Sequence, residues 1–147
     1  MEKMTDRNIG LDILKSHQDV FGLEDGAAQR FENSFAEFRA LVKWLGKARL
    51  ARIVFEPTGP YHIAFEAALG QRFPLVKVNP AQARRFAEAS GTRPKPDAVD
   101  AKILARMGEA FDGAPIAPFS PDALLLNDLH VARARLVKER TRLCNRA

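Results

Sequence analysis

Four carboxylates are spaced as a metal-dependent phosphoryl-transfer site would need them. Asp12 ends Ile9-Gly10-Leu11-Asp12, Glu56 ends Ile53-Val54-Phe55-Glu56, and Asp97 and Asp100 stand in Lys95-Pro96-Asp97-Ala98-Val99-Asp100. The first two lie at or near the ends of apolar runs that read as strands. The other two are one helical turn apart, which puts both on one helix face. An acid in an apolar strand is costly unless it is paired or bound to a cation. Hard divalent cations take carboxylate oxygens and waters. Two Mg²⁺ or Mn²⁺ ions roughly 4 Å apart can activate an attacking oxygen and stabilise a leaving one. Each acid also has an ordinary reading. Asp97 could cap a helix, where the dipole favours an anion. Asp100 could face solvent, Glu56 could enter a turn, and Asp12 could lie on a solvated face. Four such acids together favour the metal.

The elements that must position them can be read from periodicity. Residues 7–14 alternate Ile9, Leu11 and Ile13 with polar or small residues, as a strand does. A second strand is predicted over 19–23 and a third over 28–32, with Glu24-Asp25-Gly26 as the turn between them. Ser34, three residues before Glu37, resembles a capping box. Phe35, Phe38, Leu41, Val42 and Leu45 then recur at helical spacing. Strands over 51–55 and 75–78 alternate with helices over 61–71 and 81–90, and Pro80 suits a first helical position. A helix over 97–109, a proline-rich linker and a long helix over 122–142 complete the chain. Strands grouped first and strand–helix alternation afterwards predict an α/β fold. The expected division is 1–113, a linker at 114–121, and a basic helix over 122–147.

The charge is concentrated at one end. The chain carries a net +5, and residues 129–147 hold six basic residues (Arg133, Arg135, Lys138, Arg140, Arg142 and Arg146) against one acid, Glu139. That stretch alone accounts for the excess. Such a helix suits a nucleic-acid backbone, although a solvated helix face would look the same. Leu125, Leu129, Ala132, Leu136 and Leu143 form a heptad-like seam on it, so pairing through this helix, or a homo-oligomer, is expected. The single cysteine, Cys144, excludes an internal disulfide and points to the cytoplasm. No apolar run reaches the roughly 18 residues of a membrane span, and no membrane partner is expected.

The segments around the acids are more specific than the acids themselves. Ile9-Gly10-Leu11-Asp12 with Lys15 three residues on, Phe55-Glu56-Pro57-Thr58-Gly59-Pro60-Tyr61, Val78-Asn79-Pro80-Ala81-Gln82 and Lys95-Pro96-Asp97-Ala98-Val99-Asp100-Ala101 occur in this order. Together they resemble the N-terminal DEDD domain of insertion-sequence 110 family transposases. The resemblance implies an RNase H-like, RuvC-type mixed sheet flanked by helices and followed by a long C-terminal helix. It assigns Asp12, Glu56, Asp97 and Asp100 to the Mg²⁺-binding, catalytic set. It further implies DNA as substrate, a separate C-terminal domain carrying a nucleophilic serine and, in some members, a guide RNA encoded by the element. Two positions depart from the family pattern: Pro96 replaces a Thr or Asn, and Leu14 replaces a small residue. Nothing after Ala147 supplies the serine domain, so a truncated form is expected, unable to complete strand transfer alone.

Lys15 and Lys95 are the cations expected to flank the acids and meet phosphates, with Arg133, Arg135, Lys138, Arg140 and Arg142 as the distal nucleic-acid contacts. His17, His62 and His130 lack zinc-site spacing. Three rival readings exist. One is a standalone Mg²⁺-dependent nuclease or Holliday-junction resolvase. Another is a truncated, non-catalytic fragment that only binds nucleic acid or inhibits a full-length enzyme. A sugar-kinase-like ATPase half ranks last, because the glycine-rich phosphate loops it needs are missing.

Overall fold

The computed structural model describes residues 6–47, 49–91, 100–111, 113 and 121–146. Strand β1 (Arg7–Ile13) turns at Lys15-Ser16 into β2 (His17–Gly22), and β3 (Ala28–Glu32) follows antiparallel. Helix α1 (Phe35–Leu45), β4 (Leu50–Phe55), α2 (His62–Leu69) and β5 (Leu75–Lys77) come next. Helices α3 (Pro80–Ala89), α4 (Ala101–Ala110) and α5 (Pro121–Cys144) complete the described elements. The sheet order is β3-β2-β1-β4-β5, antiparallel on the β2–β3 side of β1 and parallel on the β4–β5 side. This mixed sheet flanked by helices is the RNase H-like arrangement expected above.

Alternation along β1 explains why it is central. Ile9, Leu11 and Ile13 are fully buried on one face, packed with Phe38, Leu41 and Leu45 of α1 and Phe65 and Leu69 of α2. The opposite face of the sheet carries Val54 and Val76, covered by Ala83 and Ala87 of α3 and Ile103, Leu104 and Met107 of α4. Gly10 lies on this second face. A Cβ there would collide with Ala101 O and stand 2.5 Å from Ala105 N. Only a residue without a side chain lets α4 lie this close to β1.

The helix starts are capped locally. Ser34 Oγ accepts from Glu37 N, and Asn79 Oδ1 accepts from Ala81 N ahead of Pro80. These side chains satisfy amides that a helix start leaves unpaired.

Most element ends shift by one or two residues from expectation, and two of the differences bear on the site. β2 begins at His17, two residues early, because Leu14 N donates to His17 O at 2.8 Å and pairing runs up to the turn. The described part of α4 begins at Ala101 rather than at 97. Asp100 is extended (φ −60°, ψ 141°), and its Oδ1 accepts from Lys102 N at 2.8 Å. Asp100 is thus the cap, not a residue within the first helical turn. Asp97, Lys95 and residues 114–120 of the expected linker lie outside the described residues, and Pro121 already belongs to α5.

Candidate metal centre

Asp12 and Glu56 are brought together by sheet register. β1 and β4 run parallel with Leu11 opposite Phe55, so Asp12 and Glu56 are the next residues of two adjacent strands. Parallel neighbours of this kind lie about 4.8 Å apart. Strand alternation puts Asp12 on the face of Gly10, and Glu56 continues the face of Val54, the face covered by α4. Because Ala101 sits over Gly10, the cap Asp100 stands beside Asp12, two residues further along β1.

The electrostatics record this convergence. Asp12 is half-buried, and burial pushes its carboxyl up to about 6. The negative charges of Asp19, Glu56 and Asp100 push in the same direction. Burial also raises Glu56, while the Arg84 guanidinium on α3 pulls it back. A carboxylate surrounded by carboxylates is short of positive charge. Oxygen donors so arranged fit a hard divalent cation. Among the described residues, no three His, Cys, Asp or Glu side chains group closely enough to hold an ion as they stand.

Asp19 escaped the sequence reading. It is the β2 partner of Asp12 in the hairpin register, and the two-residue turn at Lys15-Ser16 carries the signal that could have found it. It has its own cation. Arg30 Nε and Nη2 reach its two oxygens at 2.7 and 2.9 Å, and this holds its carboxyl below the usual range despite burial. The influence of Arg84 on Glu56 depends on where α3 packs.

The cations divide into two groups. Lys15 is exposed in the hairpin turn three residues past Asp12. Arg133, Arg135, Lys138, Arg140 and Arg142 are all exposed along α5.

Residues 9–147 match the family model of the DEDD transposases of insertion sequence 110, described as transposase. The chain belongs to this family. A search of curated proteins finds no match. The match spans nearly all of this transposase chain, from β1 through α5, and with the family come a role in DNA transposition and DNA as substrate. No described helix is long and apolar enough to cross a membrane.

Proposed function

We propose that Asp12, Glu56, Asp97 and Asp100 hold Mg²⁺ or Mn²⁺ and that this site acts on phosphodiester bonds during transposition. One observation carries the reading: Asp12 is a half-buried carboxyl, raised to about 6, with Glu56 and Asp100 bearing on it. A bound cation supplies Lewis-acid stabilisation of charge on the attacking and leaving oxygens. The chain's own groups do the rest. Asp12 sits in the central strand, where neighbours on both sides hold it rigid, and it gives up its proton when a cation takes its place. Arg30 keeps Asp19 occupied, so the hairpin acid adds field without joining the ligand set. Lys15 at the turn, Lys95 and Arg84 are placed in this reading to meet phosphates around the acids.

The residues up to 113 form the catalytic unit in this proposal, 114–121 the linker, and the remaining helix a connector. α5 exposes Leu125, Leu129, Leu136 and Leu143. At about 100° per residue, Lys138 projects away from that seam, while Arg133, Arg135, Arg140 and Arg142 flank it on its two sides. This supports pairing of two copies through the leucines, with the outward cations on DNA or on an element-encoded guide RNA. The deciding experiment is a thermal melt with Mg²⁺ or Mn²⁺ against EDTA. The metal raises the melting temperature of the wild-type chain by mass action, and Asp12→Asn removes the rise. An equal rise in both proteins overturns the metal assignment.

A further inference from the structure

On the sheet face away from α4 lies a charged cluster that the metal reading does not use. Glu66, in the middle of α2, is 2% exposed. Its Oε1 stands 2.8 Å from Lys77 Nζ at the end of β5 and 3.4 Å from His62 Nε2 one turn earlier on α2. Burial holds the His62 ring below its usual pKa. Its Nδ1 is buried without a well-formed hydrogen bond, although the Gly59 backbone is near enough to favour the protonated ring. The Glu66 carboxylate is buried while Lys77 is exposed at the end of β5, so the cost of desolvating the carboxylate offsets much of what the pair gains. Stability alone is therefore a poor reason for this cluster.

Its location suggests a better one. Lys77 is the β5 register partner of Phe55, the residue immediately before Glu56. Lys77 Nζ lies 5.9 Å from the centre of the Phe55 ring, and the His62 ring lies 6.3 Å from it on α2. The Phe55 ring thus has a β5 cation and an α2 imidazole beside it, both tied to the same Glu66 oxygen. The loop from Glu56 to Tyr61 leaves the sheet from this point. Two backbone bonds close its ends: Val78 N donates to Phe55 O at 3.0 Å, and Ile63 N donates to Pro60 O at 3.2 Å. Between them Gly59 adopts a positive φ of 54°.

We infer that Glu66 is a positioning residue for Glu56: through His62 and Lys77 it grips Phe55 and sets the direction in which the β4–α2 loop presents the Glu56 carboxylate. The inference rests on the reading of Glu56 as a metal ligand. Glu66 touches neither metal nor DNA in this account and acts only through the loop.

The test uses the full chain with Glu66→Gln and with the paired apolar change Glu66→Met/Lys77→Met. Two quantities are read beside the melt: hydrogen exchange at the Val78 and Ile63 amides, and Mn²⁺ affinity by calorimetry. The paired variant remains folded with a melting temperature close to wild type, since an apolar side chain replaces the desolvated Glu66 carboxylate. Its Val78 and Ile63 amides nevertheless exchange faster, and its Mn²⁺ affinity falls roughly threefold to thirtyfold, the range seen for residues coupled through a packed network. Wild-type exchange and wild-type Mn²⁺ affinity in the paired variant overturn the inference and leave the cluster a structural ion pair. If the paired variant melts below the assay temperature, Glu66→Gln carries the same two readouts. If wild-type protein takes up no Mn²⁺, the metal reading of Glu56 falls, and the two amides alone decide whether Glu66 orders the loop.

Discussion

Asp12 stores an electrostatic conflict that the folded chain cannot relieve by itself. Its carboxyl titrates near 6 when folded, against 3.8 in an ordinary setting. The folded state therefore holds more protons than the unfolded state between those values. By linkage, the contribution of Asp12 to stability falls as pH rises from about 4 through 6 and stays unfavourable above that. Asp12→Asn keeps the shape and removes the charge. In EDTA at pH 8 the variant is expected to be more stable than wild type by roughly 1–2 kcal/mol, after allowance for solvent screening. The gain should vanish near pH 4, where the wild-type carboxyl is protonated. Chemical denaturation at the two pH values checks this, and a constant gain at both would place the effect in packing instead. With Mg²⁺ at pH 8 the order should reverse if Asp12 holds the cation as proposed.

At the scale of elements, the contact between β1 and α4 decides whether there is a site at all. Gly10 allows Ala101 and Ala105 to lie on the strand, and Gly108 meets Val54 and Arg52 further along α4. Arg52 Nη1 also reaches Gly108 O and Phe111 O, both at 2.8 Å, and so ties the end of α4 to β4. A methyl at position 10 must push α4 outward, and Asp100 moves with it. Gly10→Ala is expected to cost about 1–3 kcal/mol by overpacking. It should also weaken Mn²⁺ binding, as measured by calorimetry on the variant that remains folded. Loss of stability with unchanged Mn²⁺ affinity would show that Asp100 is not held in the site by this contact. For comparison, Ser34→Ala removes the α1 cap and should cost about 1 kcal/mol with no effect on the metal.

At the scale of the whole molecule, the proposed reading divides the work between the sheet and α5. The sheet gathers carboxylates, and α5 carries the excess cations at exposed positions. Affinity for DNA should fall steeply with salt, since each phosphate contact releases counterions. Replacing Arg133, Arg135, Lys138, Arg140 and Arg142 with Gln should remove most of the affinity, because all five cations are exposed on α5. Fluorescence anisotropy across a salt series checks this, and an unchanged salt slope in the variant would place the DNA contacts elsewhere. Leu129→Glu/Leu136→Glu should shift the chain to a smaller species in light scattering if the leucines pair two copies.

Much of this was legible in one dimension. Alternating Ile9, Leu11 and Ile13 specify a strand buried on that face, and heptad spacing specifies α5 as one helix, because both patterns depend only on local geometry. The capping residues Ser34 and Asn79 were equally visible, since a cap reaches only two or three residues along the chain. The acid motif, matched segment by segment, pointed to the family. What the sequence could not carry was distance between residues far apart in the chain. That Asp12 and Glu56 share a face follows from the Leu11–Phe55 register, a pairing of two strands more than 40 residues apart. The approach of Asp100 follows from the absence of a side chain at Gly10, which matters only once α4 lies on β1. Asp19 beside Asp12 needed the hairpin register, and Glu66 beneath Phe55 needed α2 and β5 side by side. Local chemistry chose these elements. Tertiary packing alone decided which carboxylates feel one another, because Coulomb interactions depend on separation in space and not along the chain.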